Sequence, residues 1–196
     1  MYDHSMRTRI RTIGIVFVAL LVTDAAAFAQ QSHAQYEPPN RGGAGQVLLA
    51  KMVGNWTFTD TFFPLRGGKP HVSTGTCQQF MILGGMFLQS NFTFHGANGS
   101  TWKGEGISGF SPSTGKFTTD WIDSQRTEMS IRQSRGKFDG KNMWLYAQQI
   151  GREHPGRVTF AHAFLRDGGK QLVYDHYYQV PGGKPKMMFE IVLIRQ

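Results

Sequence analysis

Cysteine is almost absent from the 196-residue chain, with Cys77 as its single representative. The chain can therefore form no internal disulfide, and its stability has to come from a packed core. Acidic residues are also few, 13 against 21 Lys and Arg, which gives a formal net charge of +8 at pH 7. Because the basic residues are scattered with no run of five, the sequence favours a solvated positive surface over a nucleic-acid site.

Long apolar runs are missing as well. The most prominent, Ile13 to Val22, is half as long as a membrane-spanning helix, which needs about twenty residues. Three arginines precede this run, and Ala27-Phe28-Ala29 after it has the small-x-small form of a signal-peptidase site. We therefore predict a secretory signal peptide over residues 1–29, a periplasmic or secreted protein, and no membrane span after cleavage. The alternative is an uncleaved N-terminal anchor.

The usual spacings of metal and catalytic residues are also lacking. The histidines from His71 onward form no H-x-H or H-x-x-x-H pair, and no Ser-His-Asp arrangement or nucleophile elbow is recognisable. We accordingly predict no metal and no cofactor. The segment Gly104 to Gly109 matches G-x-G-x-x-G, but Phe110-Ser111-Pro112 follows it where a dinucleotide site needs a helix. These glycines predict bends and close packing within a strand.

Strand-forming sequence fills most of what remains. Runs rich in Phe, Thr, Tyr, Val and Ile alternate with turns of Gly, Pro, Asn or Asp. The predicted strands are 56–63, 71–83, 86–95, 101–110, 116–123, 128–134, 143–150, 157–166, 171–180 and 186–195. Because no link is long enough for a crossover helix, neighbouring strands pair antiparallel. We predict an all-β, up-and-down antiparallel barrel of about ten strands, which closes to hide its edges.

The segment before the strands divides into two parts. Residues 30–45 are polar, contain Pro38-Pro39 and show no periodicity, so they predict a flexible leader. Residues 46–53 predict a short helical turn. Its apolar side chains are available to plug one end of the barrel: Val47, Leu48, Ala50 and Met52. The barrel domain is thus predicted to span residues 46–196.

Several motifs together carry a resemblance to a known family. They are Leu49-Ala50 with Val53-Gly54-Asn55-Trp56, Ile82 to Gln89, Gly104-x-Gly106-x-x-Gly109-Phe110, Thr114 to Phe117, Asp120 to Asp123, and Met187 to Ile191. The chain resembles the bacterial family of domains of unknown function numbered 1579, which implies a lipocalin-like barrel and leaves the activity open. In such barrels the Gly-x-Trp indole packs across the closed end beneath a basic side chain of the last strand. The resemblance implies these structural roles for Trp56 and Arg195, with a cation–π contact of ~1–2 kcal/mol.

Two histidines are candidates for the barrel interior. His162 lies on an alternating apolar face with Phe160 and Phe164, which predicts that it is the most buried imidazole. A core histidine satisfied by one hydrogen bond is the commoner arrangement at such a position. His176, which lies on its strand beside Tyr174 and Tyr178, is the second choice.

Two strand carboxylates complete the candidate set. Asp123 shares a face with Trp121, and Glu190 alternates with Met188 and Val192. A carboxylate that points into a barrel needs a partner such as Arg132, and an ion pair at the barrel mouth is the commoner outcome. The residues predicted to contact a ligand are Trp121, Asp123, Phe160, His162, Tyr174, His176 and Glu190. A shift of one residue in register would exchange the two faces of any strand.

These observations favour an exported barrel that binds a small apolar or amphipathic molecule in its interior. Three alternatives stay open. An enzyme of isomerase or hydrolase type would pair His162 or His176 with Asp123 or Glu190. A haem-binding barrel would use one of the same two histidines, and an interaction module would have a filled interior.

Overall fold

The computed structural model of the protein describes residues 42–147 and 158–196. The predicted signal peptide and most of the predicted leader lie outside the described residues. One helix, α1 (Ala44–Lys51), precedes ten strands. The strands are β1 (Gly54–Phe62), β2 (His71–Ile82), β3 (Phe87–Gly96), β4 (Thr101–Ser111), β5 (Lys116–Asp123), β6 (Ser130–Gln133), β7 (Met143–Ala147), β8 (Val158–Arg166), β9 (Gln171–Gln179) and β10 (Lys186–Arg195).

Every strand pairs antiparallel with its neighbour in the chain, and β1 pairs with β10 to close the barrel. The predicted all-β barrel of ten strands is therefore confirmed. The bounds differ most at two strands. β1 begins two residues before and ends one residue before the predicted 56–63, and β6 is shorter than the predicted 128–134 because only 130–133 pair with β5. The predicted end of β7, at Ile150, lies outside the described residues.

Two short glycine turns connect strands in the same way. Leu83-Gly84-Gly85 links β2 to β3, and Asp167-Gly168-Gly169 links β8 to β9. All three residues of each turn have positive φ, from 49° to 89°. Two consecutive glycines reduce the strain that this left-handed backbone imposes on L side chains, which explains the Gly-Gly pairs.

Helix α1 seals one end of the barrel. Leu48, Leu49 and Met52 are at most 8% exposed and belong to the main core, which confirms a plug at this position. Val47 and Ala50, predicted to contribute, are exposed instead. A helix of period 3.6 turns them away from the face that carries Leu48 and Leu49.

The helix begins at Ala44, two residues before its predicted start, because Gln46 caps it. The Gly43 amide donates to Gln46 Oε1 at 2.7 Å, and Gln46 Nε2 donates to the Phe110 carbonyl oxygen of β4 at 2.8 Å. Gly45 packs so closely on Phe110 that an added Cβ would lie 2.1 Å from that ring. A glycine is required at this contact, and it fixes the helix against β4.

Trp56 and Arg195 complete the closed end. The two residues are direct partners across β1 and β10, and the guanidinium carbon lies 4.1 Å from the centroid of the indole. Trp56 is 1% exposed, and its Nε1 donates to the Met52 carbonyl oxygen at 3.1 Å. Arg195 donates to the carbonyl oxygens of Gly169, at 2.9 Å, of Lys51, at 2.8 Å, and of Val53.

Candidate functional site

A cavity of about 1020 Å³ occupies the barrel on the side away from α1. It reaches from the middle of the core to exposed loop residues between β3 and β4 and between β5 and β6, such as Asn98 and Gln125. Its volume is at the upper end of the range for small-molecule sites, roughly 300–1,000 Å³. Two small inward residues of β8, Ala161 and Ala163, contribute to this space.

Aromatic rings form one wall of the cavity. Phe92 and Phe94 project from β3, Trp102 lies parallel to Phe94 with ring centroids 4.9 Å apart, and Trp121 meets Phe92 edge to face at 5.4 Å. Such rings supply apolar contact area together with a fixed geometry.

The G-x-G-x-x-G segment explains how Trp121 is placed. A Cβ on Gly104 would lie 2.2 Å from the Trp121 ring, and one on Gly106 would lie 3.3 Å from it. The indole therefore lies against the bare backbone of β4. The glycines provide the close packing expected from their position in a strand.

Asp60 is a partly buried carboxylate on the β1 wall. Its Oδ2 accepts a hydrogen bond from Ser73 Oγ at 3.3 Å, whereas its buried Oδ1 has no partner. Burial raises the pKa of Asp60 to about 6, and the bond from Ser73 partly opposes this shift. The carboxylate is therefore ionised for the most part at neutral pH, and it retains an unused acceptor.

Arg132 of β6 and His176 of β9 also line the cavity. The Arg132 Nε is buried without a hydrogen-bond partner. Burial lowers the pKa of this guanidinium, and Arg126 nearby lowers it further. His176 stacks on Phe189 with ring centroids 4.0 Å apart. Burial, with a smaller contribution from Arg132, holds the pKa of His176 well below its usual value, so the imidazole is neutral at pH 7.

A hydrogen-bonded group lies deeper in the barrel. Gln79 Nε2 donates to Tyr174 Oη at 2.8 Å and to Ser90 Oγ at 3.0 Å. Burial raises the pKa of Tyr174, so the phenol keeps its proton at every physiological pH. Ser90 and Tyr174 both face the cavity and provide its inner polar surface.

Four of the seven predicted site residues line the cavity: Trp121, Asp123, Tyr174 and His176. The structure brings these four together from β5 and β9. Asp123 forms no ion pair with Arg132, which the sequence analysis named as a partner for an inward carboxylate. Its Oδ2 accepts from the Trp121 indole at 3.2 Å, and its Oδ1 accepts from the Gln125 amide at 2.9 Å.

Phe160 and His162 lie on the outer face of β8, so the expectation that their alternating face is the interior one is wrong. Ala161 and Ala163 point inward between them. His162 stacks on Trp144 of β7 at 4.0 Å with an interplanar angle of 5°. The apolar pattern of β8 arises from this ladder of rings on the outer surface, and not from the core. Burial beneath the rings lowers the pKa of His162.

Glu190 is also on the outer face, although Met188, two residues before it, lines the cavity. The register of β10 shifts between Met187 and Phe189, where a bulge breaks the strict alternation. Phe189 and Ile191 consequently face inward. Glu190 is the direct partner of Asp175, which is buried but does not line the cavity. The sequence pattern alone does not reveal such a bulge.

Sequence reasoning overlooked Asp60. The alternation that places Trp56 and Phe58 inward places Asp60 inward as well, so the Gly-x-Trp motif contained the signal. Arg132 was considered only as a partner for a carboxylate. Arg132 lines the cavity together with Ser130, but β6 has only four residues, too few for an alternating pattern that would show which side chains face inward.

The described residues, 42–147 and 158–196, offer neither a group of metal ligands nor a membrane-spanning helix. They contain no group of three or more His, Cys, Asp or Glu side chains that could hold a metal ion. Within the same ranges, no helix is long and apolar enough to cross a membrane.

Residues 43–195 match the model of the family described as protein of unknown function (DUF1579). The match spans most of the chain, so the protein belongs to this family, as its motifs predicted. No curated protein matches the chain.

A solved structure of similar fold supports the architecture. The crystal structure of Rv2717c from M. tuberculosis has 17% sequence identity and a TM-score of 0.55, and the match covers 80% of this chain and 99% of that one. This similarity shows the barrel fold. The structure of EF1p2_mFAP2b bound to DFHBI has 12% identity and a TM-score of 0.39, and its match covers 79% of this chain and 100% of that one.

Proposed function

We propose that the protein is an exported barrel that binds a small apolar or amphipathic molecule in its cavity. The observation that carries this proposal is the combination of an aromatic-walled cavity of about 1020 Å³ with buried polar atoms that have no partner. Buried polar groups in proteins are almost always paired, and a ligand that enters the cavity can supply the missing partners.

The composition of the wall favours an amphipathic ligand. Phe92, Phe94, Trp102 and Trp121 offer apolar area, and Asp60 and Arg132 offer a few fixed polar contacts. This division is typical of small-molecule sites, in which rings provide affinity and isolated polar groups fix the orientation. A filled interior, as an interaction module would have, does not fit a cavity of this size.

Catalysis receives less support from the geometry. The enzyme hypothesis pairs a histidine with a carboxylate, but His162 and Glu190 are on the outer face. His176 stacks on Phe189, and Arg132 lowers its pKa, whereas Asp123 accepts from Trp121 and Gln125. Among the described residues, no His and carboxylate face each other across the cavity within hydrogen-bond distance.

Export is proposed from the N-terminal sequence. Three arginines, a short apolar run and Ala27-Phe28-Ala29 favour cleavage after Ala29. The test is to express the full chain in a bacterium, separate the periplasm from the cytoplasm, and measure the intact mass. Loss of residues 1–29 with recovery in the periplasm supports export, whereas a full-length mass in the membrane fraction supports the uncleaved anchor.

The binding proposal is tested by native mass spectrometry of the purified protein, followed by denaturation and identification of any released molecule. A stoichiometric apolar or amphipathic mass is the expected result. An absorption spectrum of the same sample tests haem, because a Soret band that His176→Ala abolishes would replace the proposed ligand with haem.

A matched pair of variants locates the site. Ala161→Phe places a ring in the cavity, and Thr118→Phe places the same ring on the exposed outer face of β5. Binding of the neutral fluorescent probe N-phenyl-1-naphthylamine should fall at least about tenfold in Ala161→Phe and stay unchanged in Thr118→Phe. Equal binding by both folded variants would place the probe elsewhere and contradict the proposal.

A further inference from the structure

The two unpartnered polar groups of the cavity lie on opposite walls of the barrel. Asp60 is on β1 and Arg132 is on β6. In the closed ring of ten strands, β6 is five strands from β1 in either direction. Among the described residues that line the cavity, the buried atoms without a hydrogen-bond partner are Asp60 Oδ1 on one side and Arg132 Nε on the other. One wall therefore needs a hydrogen-bond donor, and the other needs an acceptor.

The Arg132 wall lacks an anion. Within the described ranges, no carboxylate lies close enough to the guanidinium for an ion pair. Both oxygens of Asp123 are already occupied by the Trp121 indole and the Gln125 amide. The groups that interact electrostatically with Arg132 are cationic or neutral, since Arg126 is a second guanidinium and His176 is uncharged.

A carboxylate is the group that best matches such a wall. A guanidinium presents its N–H donors in a planar fork that fits two carboxylate oxygens, and these charge-assisted bonds are about twice as strong as neutral ones. Arg132 shares the cavity wall with apolar residues, including Leu145 and Ala161. Low polarity around the pair strengthens the attraction.

The Asp60 wall has the opposite requirement. The Ser73 hydroxyl donates to one oxygen, and the other oxygen is buried without a partner. The cavity residues of β1 and β10 include Phe62, Phe189 and Ile191. Those side chains offer no donor. A hydroxyl or ammonium group on a ligand would complete the set of contacts that the chain leaves unfinished.

We propose that the ligand is a carboxylic acid with an apolar body and a hydrogen-bond donor at its far end, with the carboxylate on Arg132 and the donor on Asp60. This inference rests on the proposed function, because it names the class of molecule that the same cavity binds. The aromatic wall of β3, β4 and β5 contacts the apolar body between the two ends. The donor is a hydroxyl or an ammonium group, and the choice between them is an arm of the test.

The test uses four ten-carbon probes titrated calorimetrically into the protein at pH 7.5. They are 1-decanol, decanoate, 10-hydroxydecanoate and 10-aminodecanoate. We expect decanoate to bind at least about tenfold tighter than decanol, and one of the two bifunctional acids to bind tighter again by about threefold or more. The tighter of the two identifies the donor.

Two variants separate the ends of the ligand. Arg132→Gln should weaken every carboxylate probe by at least about tenfold and change decanol less than about twofold. Asp60→Asn should weaken the bifunctional acid and leave decanoate unchanged. The matched controls are Arg166→Gln and Asp139→Asn, which alter exposed residues outside this cavity and should change neither affinity.

The outcomes distinguish the inference from the proposed function. If decanol binds as tightly as the acids, or if Arg132→Gln weakens all four probes equally, the assignment of the carboxylate to Arg132 is overturned while an apolar binding barrel stands. If neither the four probes nor N-phenyl-1-naphthylamine binds, the proposed binding function itself is wrong, and the carboxylate assignment that rests on it is wrong as well. Thermal unfolding of each variant confirms that it is folded before its titration is interpreted.

Discussion

Arg195 and Arg132 are both guanidiniums of the barrel wall, one at the closed end and one at the cavity. Arg195 donates to three backbone carbonyls and covers the Trp56 indole at 4.1 Å. The Nε of Arg132, by contrast, is buried without any partner. The same type of side chain is thus fully paired in one region and incompletely paired in the other.

The difference extends to the surroundings of each residue. At the closed end, α1 places Leu49 and Met52 in the core, and even the indole N–H of Trp56 has a partner. At the cavity, Asp60 and Arg132 each retain a buried atom that bonds to nothing in the described chain, at a cost of roughly 1–3 kcal/mol for each group. The closed end is arranged for stability, and the cavity end gives up stability, which a bound molecule can restore.

The largest expected effect comes from truncating tryptophans in the two regions. Trp56→Ala removes a side chain that is 1% exposed and should lower the free energy of unfolding by about 4 kcal/mol. Trp102→Ala removes a half-buried ring that stacks on Phe94, and it should cost about 1–2 kcal/mol. Urea unfolding followed by circular dichroism measures both.

Ligand binding should rank the two tryptophan variants in the opposite order from stability. Trp102→Ala should weaken N-phenyl-1-naphthylamine because Trp102 lines the cavity, whereas any folded population of Trp56→Ala should bind it normally. Equal destabilisation by the two variants would show that the cavity wall is as important for folding as the plug. The closed end could then no longer be described as the more stabilising end of the barrel.

The second prediction compares the two arginines directly. Arg195→Gln should lower the free energy of unfolding by about 2–3 kcal/mol, because carbonyl oxygens of the plug lose charged donors and the indole loses its cation–π contact. Arg132→Gln should change it by less than about 1 kcal/mol or raise it, since an unpaired buried charge is removed. Urea titrations of both variants at pH 7.5 without ligand make the measurement.

A loss of about 2 kcal/mol or more in Arg132→Gln would show that this guanidinium has structural partners after all. Arg166→Gln serves as the reference for an exposed arginine. Its guanidinium lies 4.6 Å from the Phe164 ring on the outer surface, and its removal should cost less than about 1 kcal/mol.

The closed end was easier to predict from the sequence than the cavity end. The turn glycines and the regular strand lengths depend on local backbone chemistry, and they correctly indicated the ten strands. The apolar residues of 46–53 indicated the plug, and the family resemblance implied the Trp56–Arg195 pair. The inward face of β8 was assigned wrongly because the larger apolar residues, Phe160 and Phe164, pack outside. The interior positions are occupied by alanines, which leave space.

Two further features depended on information that a single sequence does not contain. The bulge between Met187 and Phe189 turned Glu190 outward, and such an irregularity appears only when β9 is laid against β10. The opposition of Asp60 and Arg132 depends on the closure of the ring, which relates strands more than seventy residues apart. Sequence periodicity describes each strand, and the cavity is a property of all ten together.

The smallest expected effect concerns pH and the carboxylate of Asp60. Its pKa is about 6 in the folded protein and has a usual value of 3.8, so the folded state binds this proton more tightly. The contribution of Asp60 to the free energy of unfolding is therefore fully present below about pH 4, and it is lost as the pH rises through 6. Asp60→Asn stays neutral and keeps an oxygen for the Ser73 hydroxyl. Relative to the wild type, it should gain about 1–2 kcal/mol at pH 7.5, after allowance for partial solvent exposure, and almost nothing at pH 4.

Thermal midpoints of the ligand-free protein between pH 4 and pH 8 test this prediction, with Asp139→Asn as the control of opposite sign. Hydrogen bonds from the backbone amides of Asn142 and Lys141 lower the pKa of Asp139. Its contribution is therefore present at neutral pH and is lost as the solution becomes acidic. A difference between Asp60→Asn and the wild type that stays constant from pH 4 to pH 8 would mean that the folded carboxylate is not desolvated. In that case the free oxygen of Asp60 is hydrated, and it does not need a donor from a ligand.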